Sequence, residues 1–567
     1  MNHNLNKRWD IASKIPPEID LELSSYSPVM RQLLYNRGIT EEITAFNFLV
    51  TEGPMFDPLQ MLGMDVAVRR LLAAIESGEK IVVYGDYDVD GVTATALMVQ
   101  VLRAMGGIAQ EYIPNRFEEG YGVNIEALDA LAAEGVKVVL TVDCGIRSLA
   151  EAQHARDLGM DLIISDHHEP QNGSLPVAWA VICPKQAGDI YPEKNLSGVG
   201  LAFKIAEALL KTRPMAEVNL ADWLDLVAVG TVADIVPLKG ENRALVKAGL
   251  KLLNKRQRQG LHSLSAAAGM DAQRRLTARD IGFMIGPRLN AAGRMESALA
   301  AYHLLMAADE YEAGPLAQGL DNQNRQRQEL TSKMQQDAEV MAQDAAADQI
   351  LFAVNPEFNK GIVGLVAARL VETYYRPAVV GQREEEFTRA SCRSIPEFHI
   401  THALDECASL LVHHGGHAMA AGFTVRNSDL PELERRLKEI AVRELGQRDL
   451  KPVLRADMEI PLLDLRPEIL KEQEYLEPSG SDNPEVQFVT RGLKVVRSRP
   501  VGTENQHLRL TVTDGRLSFD CIAFRQGAWI SHMPERVDLL YSYEKNVYMG
   551  RESLQLNVKD IKVSGEA

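Results

Sequence analysis

Residues 85–97, "GDYDVDGVTATAL", place three carboxylates, Asp86, Asp88 and Asp90, at alternate positions directly after the apolar run "IVVY". Like charges this close raise each other's pKa and strain a fold unless a positive charge lies between them. The stretch that follows is uncharged and has the composition of a helix. This pattern predicts a buried strand that ends at a cation-binding loop and leads into a helix.

Short apolar runs alternate with Ala/Leu-rich stretches from residue 79 to residue 240. Continuous apolar strands separated by helices are typical of a mostly parallel sheet that is covered on both faces. We therefore predict an α/β region whose strands are "KIVVYGD", "VKVVLTVD", "DLIISDHH", "WAVICPK" and "DLVAVGTVAD".

Further metal-ligand residues follow the later strands of this predicted sheet. Asp143 follows "VVLTV", the stretch "DHH" at 166–168 follows "LIIS", and Asp234 follows "AVGTVA". Because the carboxyl ends of parallel strands form one crevice, these side chains are expected to converge. Oxygen ligands with one or two imidazoles suit Mn²⁺ or Mg²⁺, and so many ligands exceed the needs of one ion. The sequence predicts two divalent cations with the candidate ligands Asp86, Asp88, Asp90, Asp143, His167 and Asp234.

A structural explanation exists for each of these residues taken singly. An Asp at a strand end usually caps the next helix. Asp166 is either such a cap or a partner that orients a histidine, and Cys144 is interpreted as a small packing residue. Four clusters at four consecutive strand ends are hard to produce by capping, so the metal hypothesis is favoured.

The rest of the chain divides into regions of different pattern. A helical N-terminal cap, the α/β region, a helical connector and a second α/β region precede short alternating strands that are typical of a small barrel. The predicted boundaries are 1–75, 76–240, 241–347, 348–450 and 451–567, and "EPSGSDNPE" at 477–485 is interpreted as a loop.

Composition restricts the class of protein. A chain of 567 residues with 46% hydrophobic and 25% charged residues is typical of a multidomain globular protein. No apolar run reaches the ~20 residues that span a bilayer, and the first residues lack the apolar segment of an export signal. The five scattered cysteines predict reduced thiols, so we expect a cytoplasmic protein. The net charge of −17 does not exclude a nucleic-acid partner, because residues 251–300 carry nine Lys or Arg against three Asp or Glu.

Four motifs resemble those of the DHH phosphoesterases: "DYDVDG", "VDCG", "SDHH" and "GTVADIVPL". The stretches "PNRFEEGYG", "IGPRLNAAGR", "HHGGHAMAAGF" and "SGSDNPEVQF" extend the resemblance, over nearly the whole chain, to the RecJ family of single-strand-specific DNA exonucleases. The resemblance implies a parallel-sheet DHH domain and a smaller α/β DHH-associated domain, joined by a helical segment, plus a C-terminal all-β OB-fold.

The resemblance also implies roles for the candidate ligands. Asp143 would bridge both cations, and Asp88 would bind the first with Asp86 nearby. The ligands of the second cation would be Asp90, His167 and Asp234. His168 would contact the scissile phosphate, so the expected catalytic residues are Asp143, His167 and His168.

One position departs from the pattern of the small-substrate members of the family. Those members have a histidine four residues before the first Asp of D-x-D, where this chain has Tyr84. Either the first cation is held more loosely, or Asp86 substitutes as a ligand.

Candidate DNA contacts lie in other motifs. Guanidinium groups suit phosphate, aromatic rings suit stacking on bases, and glycines admit a ligand close to the main chain. The candidates in "NRFEEGYG" and "GPRLNAAGR" are Arg116, Tyr121, Arg288, Asn290 and Arg294. Those in "ASCRS" and "GGH" are Ser391, Arg393, Gly415, Gly416 and His417. The alternatives are a core role for Tyr121 and an ordinary helical surface for the arginines of "GPRLNAAGR".

The resemblance implies how the second α/β region and the barrel act. The DHH-associated domain would close over the metal site and hold the terminal nucleotide. Arg393 would contact the 5′ phosphate and His417 would lie near the cleaved phosphate. The OB-fold would guide the incoming single strand.

The activity implied is 5′→3′ degradation of single-stranded DNA to mononucleotides by two-metal phosphodiester hydrolysis, in recombination and DNA repair. The expected partners are single-stranded DNA, a RecQ-type helicase and single-strand-binding protein, with a monomeric enzyme and no membrane. Two alternatives stay open. One is a DHH phosphodiesterase that acts on short oligonucleotides or cyclic dinucleotides, and the other is a noncatalytic replication scaffold.

Overall fold

The computed structural model describes residues 6–50, 53–116, 119–120, 122–343, 348–548 and 551–565. The chain forms two compact units. The first contains Met1–Phe46, Gln328–Tyr475 and Glu485–Ala567, and the second contains Asn47–Arg327 and Leu476–Pro484. Within the described ranges, no helix is both long and apolar enough to cross a bilayer.

The strands are β1 (Arg8–Ile11), β2 (Lys80–Gly85), β3 (Ile108–Tyr112), β4 (Val138–Val142), β5 (Asp161–Ser165), β6 (Ala180–Ile182), β7 (Leu351–Asn355), β8 (Ala378–Arg383), β9 (Phe387–Arg393), β10 (Leu411–His417), β11 (Ala420–Arg426), β12 (Val453–Ala456), β13 (Met458–Glu459), β14 (Phe488–Val501), β15 (His507–Thr513), β16 (Ser518–Ala523), β17 (Arg536–Tyr548) and β18 (Arg551–Val563).

The α-helices are α1 (Pro17–Glu22), α2 (Pro28–Asn36), α3 (Glu42–Leu49), α4 (Met64–Ser77), α5 (Val89–Ala104), α6 (Ile125–Ala133), α7 (Leu149–Asp157), α8 (Gly198–Thr212), α9 (Leu224–Ala233), α10 (Gly240–Leu253), α11 (Gln259–Ala267), α12 (Ala278–Asp280), α13 (Gly286–Met295), α14 (Leu299–Met306), α15 (Glu310–Gln343), α16 (Val363–Tyr374), α17 (Ile400–Glu406), α18 (Leu430–Leu445) and α19 (Glu468–Leu476).

The second unit is built on a parallel sheet with the strand order β3-β2-β4-β5-β6. Ile81 and Val83 of β2 pack with α5, α8 and α9, whereas Val82 packs with α6 and α7 on the other face. Burial on both faces explains the continuous apolar runs in the sequence. The strand order reverses between β2 and β4, and ligands of such sheets bind beyond the carboxyl ends at that point. Asp86 follows β2 there, and Asp143 follows β4.

One predicted strand of this unit is wrong. The stretch "DLVAVGTVAD" forms helix α9, and Asp234 caps the C-terminal end of that helix instead of ending a strand. Residues 225–231 are all buried, and α9 packs against α5, α8 and α10. A helix that is apolar all round lacks the polar face that distinguishes a helix from a buried strand in a sequence.

The connector predicted to be helical contains helices α10 to α15 and a π-helical turn, Ile281–Ile285, directly before α13. The motif "GPRLNAAGR" forms α13. Residues Leu476–Pro484, predicted as a loop, belong to the second unit. Within that unit, Leu238 N donates to Ser481 O at 2.8 Å, so this stretch packs against the residues that follow α9.

The first unit contains a mixed sheet with the strand order β10-β11-β9-β8-β7, in which β7 and β8 are parallel and the other pairs antiparallel. Val379 of β8 faces a core with α17 and α18. Val380 faces the opposite core with α16 and the C-terminal part of α15. The second predicted α/β region is therefore confirmed as a fold.

A closed barrel lies in the same unit. Strands β14, β15, β16, β18 and β17 pair in that order, and β17 pairs back with β14. This topology confirms the predicted OB-fold. The N-terminal region, predicted as a helical cap, also contributes strand β1, which pairs in parallel with β12. The fold class is confirmed, and the domain boundaries stay a prediction.

Candidate metal centre

A first ligand group gathers at the switch point of the parallel sheet. It consists of Asp86, Asp88 and Asp143, whose donor atoms lie within 4.8 Å of one another. Asp88 also caps α5, because its Oδ1 accepts hydrogen bonds from Asp90 N at 2.9 Å and Gly91 N at 3.2 Å. Asp88 therefore both caps a helix and belongs to a ligand group. The sequence had presented these two roles as alternatives.

A second ligand group consists of Asp90, His167 and Asp234, again within 4.8 Å of one another. These residues lie in the first turn of α5, after β5 and at the end of α9. His167 Nε2 is 3.5 Å from Asp234 Oδ2 and 3.1 Å from Asp143 Oδ1. Asp143 therefore lies between the two groups, at the position expected of a bridging ligand.

Three donor atoms of the two groups lack a hydrogen-bond partner among the described residues. Asp86 Oδ1, Asp143 Oδ1 and His167 Nε2 are buried and have no hydrogen-bond partner among the described residues. The ring of His167 is hydrogen-bonded to the main chain of Leu196, which leaves Nε2 toward the carboxylates. An unsatisfied buried polar atom costs about 1–3 kcal/mol, so a divalent cation fits this donor set.

The electrostatics of the groups also fit a cation. Burial, and after it the charge of neighbouring carboxylates, raises the pKa of Asp86 and of Asp143 well above the ordinary value. The same causes raise the pKa of Asp90 to about 7 and that of Asp234 to about 9. Burial and the charge of His168 lower the pKa of His167 to about 3, so its imidazole is neutral, as a metal ligand requires. Oxygen donors with one neutral nitrogen suit Mn²⁺ or Mg²⁺.

His168 is oriented by Asp166. His168 Nδ1 lies 2.7 Å from Asp166 Oδ1, whose carboxylate also accepts from Ile146 N at 2.9 Å. Burial lowers the pKa of His168, but the hydrogen bond and the charge of Asp166 raise it by more. Of the two roles left open for Asp166 in the sequence, the geometry matches that of the orienting partner. His168 lies in a third ligand group with Asp143 and His167.

Tyr84 has a structural environment away from the ligand groups. It is fully buried, its hydroxyl donates to Gly122 O at 3.1 Å, and it accepts from Asn124 Nδ2 at 3.1 Å. Its ring stacks on Tyr112 with a centroid distance of 4.8 Å. Asp86, two residues later, is the residue that lies in the first ligand group. The geometry therefore favours the interpretation in which Asp86 substitutes for the missing histidine.

The candidate DNA contacts of α13 lie on different faces of the helix. Arg288 Nε donates to Asp321 Oδ1 at 2.9 Å, and the side chain of Asp321 is fully buried. Asn290 and Arg294 are four residues apart and so share another face of the helix. The backbone of α13 approaches the metal loop closely, because a Cβ added to Gly293 would lie 2.7 Å from Tyr87 O.

Arg116 lies beside that same loop, with its guanidinium 5.0 Å from the centroid of the Tyr87 ring. Tyr121 lies outside the described residues. The contacts of Arg116, Arg288, Asn290 and Arg294 with DNA stay predictions.

In the first unit, β11 lies between β9 and β10 and brings the other candidates onto neighbouring strands. Arg393 and His417 both pair with Ala420, and Ser391 and Gly415 flank the same strand two residues along. The guanidinium of Arg393 lies at the start of α16, where a Cβ added to Gly364 would be 3.0 Å from Nη2.

The two glycines of "GGH" differ in their surroundings. Gly416 has a φ of 148°, and a Cβ there would lie 2.4 Å from Ala420 O, so this glycine is needed for strand pairing. A Cβ at Gly415 would meet no atom within 4 Å. The sequence predicted space for a ligand at both glycines, and the structure has such space only at Gly415.

Sequence reasoning missed the residues that hold Asp90. Asp90 Oδ2 accepts from Gly198 N at 2.6 Å, and Asp90 Oδ1 accepts from Val199 N at 2.8 Å. The signal for them is "LSGVG" at 196–200, in which Ser197 is a helix N-cap followed by a glycine. Nothing in that signal indicates which distant side chain the amides bind.

Three family models match separate parts of the chain. The "DHH family, N-terminal domain" matches residues 80–231, the "DHHA1 domain" matches residues 347–443, and the "RecJ OB domain" matches residues 456–560. These ranges contain the parallel sheet, the mixed sheet and the barrel.

Relatives and solved structures are similar over nearly the whole chain. The chain is 38% identical over 565 residues to "Single-stranded-DNA-specific exonuclease RecJ" of Bacillus subtilis (strain 168), and the match covers 98% of this chain and 71% of that relative. Crystal structures of RecJ from Thermus thermophilus in complex with Mn²⁺ and with Mg²⁺ match with TM-scores of 0.85 and 0.79 and identities of 29% and 27%. Both matches cover 99% of this chain, and they cover 80% of the chain solved with Mn²⁺ and 79% of the chain solved with Mg²⁺.

Proposed function

Since the chain belongs to the RecJ family of single-stranded-DNA-specific exonucleases, we propose that it removes mononucleotides from the 5′ end of single-stranded DNA by metal-dependent phosphodiester hydrolysis. The observation that carries the proposal is the convergence of the two ligand groups around Asp143 at the switch point of the parallel sheet. Without cations, these buried carboxylates would either carry uncompensated charge or bind protons.

The cofactors of this reaction are two divalent cations, Mn²⁺ or Mg²⁺. The first ligand group and the second ligand group would each hold one ion, with Asp143 between them. When bound, such a pair lowers the pKa of water toward neutrality and neutralises charge on the phosphate. The hydroxyl of a serine or the thiol of a cysteine is not needed as a nucleophile.

The side chains of the protein position the scissile phosphate. Asp166 holds the Nδ1 side of His168, so that the ring has a fixed orientation and a raised pKa. A protonated His168 can donate to a phosphate oxygen and stabilise the negative charge that develops there. His168 and its positioning residue Asp166 thereby act on the phosphate, whereas His167 and the carboxylates hold the cations.

Each unit, taken by itself, has candidate contacts with DNA. In the second unit, Arg116, Asn290 and Arg294 would bind backbone phosphates. The motif of Tyr121, a residue outside the described ranges, suggests that it stacks on a base. In the first unit, Arg393 and Ser391 would bind the 5′ phosphate, with Gly415, Gly416 and His417 beside it. Arg288, in the first turn of α13, would bind phosphate with the part of its guanidinium that is not bonded to Asp321.

The rival functions receive less support. A match to the RecJ OB domain over residues 456–560 disfavours a phosphodiesterase for cyclic dinucleotides. A noncatalytic scaffold would not need the buried donor atoms of the ligand groups. The biological role proposed is recombination and DNA repair in the cytoplasm, by a monomer that works with a RecQ-type helicase and single-strand-binding protein.

The test is digestion of a 5′-phosphorylated oligonucleotide labelled at either the 5′ or the 3′ end, in Mn²⁺, Mg²⁺ or EDTA. We expect the 5′ label to appear at once as a mononucleotide, whereas the 3′ label remains in fragments that shorten progressively. The blunt duplex of the same sequence should resist, and EDTA should abolish cleavage. Early release of the 3′ label, equal digestion of duplex, or cleavage in EDTA would contradict the proposal. Faster hydrolysis of a cyclic dinucleotide would favour the rival phosphodiesterase.

A further inference from the structure

Asp90 is held by the main chain of a helix that lies far from it in the sequence. Its two carboxylate oxygens accept from Gly198 N at 2.6 Å and Val199 N at 2.8 Å, the first amides of α8. Asp90 is 1% exposed. Amides at a helix N-terminus favour a negative charge, and two hydrogen bonds fix the plane of the carboxylate. Asp90 therefore has one orientation toward the rest of the second ligand group.

The space around this carboxylate admits no side chain at two positions. A Cβ added to Gly198 would lie 2.5 Å from Asp143 Cβ, and one added to Gly230 would lie 2.8 Å from Asp90 Oδ1 and 2.3 Å from Thr93 Oγ1. Both glycines are helical, in α8 and α9, where no left-handed conformation calls for glycine. The reason for glycine is thus close approach to the two ligands.

A hydrogen bond joins the two helices that surround Asp90. The hydroxyls of Ser197 and Thr231 are 2.7 Å apart, and both residues are fully buried. Thr231 lies three residues before Asp234 on α9, and Ser197 is the N-cap of α8. This bond ties the amides that hold Asp90 to the helix that ends in another ligand of the same group.

We infer that Gly198, Val199, Gly230 and the Ser197–Thr231 hydrogen bond, here called the Asp90 cradle, are positioning elements that set the affinity of the second ligand group for its cation. The inference rests on the proposed two-cation function. The cradle donates one hydrogen bond to each oxygen of Asp90, and the remaining lone pairs are available to a cation held with His167 and Asp234. Because Asp88 takes its hydrogen bonds from Asp90 N and Gly91 N, the first ligand group meets the cradle only at Asp143, against which Gly198 packs.

The test is the affinity of the metal-free protein for Mn²⁺, measured by calorimetry together with the electron paramagnetic resonance spectrum at two equivalents. Wild type is expected to bind two ions and to show the spectrum of a coupled pair. In Gly230→Ala, the second dissociation constant should rise at least tenfold and the coupled spectrum should weaken, while the first constant stays within twofold. In Gly198→Ala, whose methyl group also crowds Asp143, both constants should rise and the coupled spectrum should weaken. Alanine is the stronger helix former, so a loss of binding would not come from a weaker helix. Excess Mn²⁺ should restore DNA cleavage, which it would not do for a merely unfolded variant.

Milder variants keep the inference testable if a methyl group prevents folding. Thr231→Val removes the hydroxyl at nearly constant volume and should raise the second dissociation constant at least threefold, whereas Thr231→Ser should restore it. Gly314→Ala in α15, where a Cβ meets no atom within 4 Å, is the matched control and should leave both constants unchanged.

The inference is overturned if Gly198→Ala, Gly230→Ala and Thr231→Val all bind two Mn²⁺ ions with wild-type constants. A wild-type protein that binds two ions but leaves single-stranded DNA intact would contradict the proposed function. The role of the cradle would still be tested in that case, by the Mn²⁺ dissociation constants of the variants. A wild type that binds fewer than two ions would overturn both.

Discussion

Asp143 connects the ligand groups found among the described residues, because it belongs to the first and the third and its Oδ1 lies 3.1 Å from His167 Nε2 of the second. It has a φ of 64°, in the left-handed region that few residues other than glycine, asparagine and aspartate adopt readily. Ile235, next to the ligand Asp234, has a φ of 62°. Strained conformations of this kind persist where the surrounding structure enforces them, and they cluster at functional sites.

Asp143→Asn is expected to lower kcat for single-stranded DNA by about 10²- to 10³-fold or more, as for removal of one electrostatic stabiliser of a reaction. Asparagine tolerates the left-handed conformation, so the fold should be kept. Removal of one buried carboxylate should also raise the Tm of the metal-free protein. Steady-state cleavage assays and calorimetry in EDTA measure the two effects.

The matched control for this variant is Asp157→Asn, which changes an exposed carboxylate on α7 that lies in none of the ligand groups. Its kcat and Tm should be those of wild type. A wild-type kcat for Asp143→Asn would remove Asp143 from the catalytic machinery.

Strand pairing is the element-level feature that arranges the candidate DNA contacts of the first unit. Arg393 on β9 and His417 on β10 pair with the same residue of β11, so their Cα atoms are about 10 Å apart, or two strand spacings. A sheet holds such a spacing more firmly than a loop. The small residue Gly364 at the start of α16 leaves room for the guanidinium of Arg393.

Arg393→Ala is expected to raise KM for a 5′-phosphorylated oligonucleotide by about 10- to 100-fold, because a hydrogen bond to a charged group contributes about 1.5–3 kcal/mol. The KM for the same oligonucleotide with a 5′ hydroxyl should change little, since the lost contact is with the terminal phosphate. Affinity for Mn²⁺ should also be unchanged. Initial rates over a range of concentrations of the two substrates measure the difference.

Arg389→Ala supplies the control on the same strand. Its side chain is 54% exposed and lies 3.6 Å from Glu384. This variant should leave both KM values unchanged. If Arg393→Ala raised KM equally for both substrates, Arg393 would not be the residue that binds the 5′ phosphate.

At the scale of the whole molecule, residues from opposite ends of the chain stabilise the first unit. Trp9 Nε1 donates to Asp560 Oδ2 at 2.7 Å, and the ammonium of Lys562 lies 5.0 Å from the centroid of the Trp9 ring. Strand β1 adds a parallel ladder with β12. The barrel is therefore held by the N-terminal strand as well as by its own pairing. The second unit instead contains the repelling carboxylates, so its stability should depend on bound cations.

Stabilisation of the protein by Mn²⁺ is expected to grow as pH rises from about 4 to about 9. The pKa values of Asp90 and Asp234 in the fold are about 7 and about 9, against an ordinary value of 3.8. Between those limits the metal-free folded protein binds more protons than the unfolded chain, so its free energy of unfolding falls with rising pH. A bound cation removes the repulsion and competes with these protons.

The measurement is urea denaturation in excess Mn²⁺ and in EDTA at several pH values, with the difference between the two series as the result. Groups that titrate elsewhere in the molecule contribute equally to both series and cancel. In Asp143→Asn, the difference between the Mn²⁺ and EDTA series should rise less with pH than in wild type. A difference that is constant or falls with pH would contradict the coupling of the carboxylates to the cations.

Local patterns were sufficient to predict the parallel sheet, the mixed α/β region and the barrel, because strand periodicity depends on neighbouring residues. They also located Asp86, Asp143 and His167, since residues after parallel strands must meet at one edge of the sheet. The family resemblance of the motifs, confirmed by relatives that match nearly the whole chain, identified the reaction.

Tertiary packing alone decided the features that depend on residues far apart in the chain. The apolar run before Asp234 became a helix because α5, α8 and α10 surround it. Gly198 binds a carboxylate 108 positions away, and Tyr84 turns its hydroxyl to Gly122 and Asn124. Such contacts arise from the shape and polarity of surfaces that form only when the chain is folded, so no local periodicity can contain them.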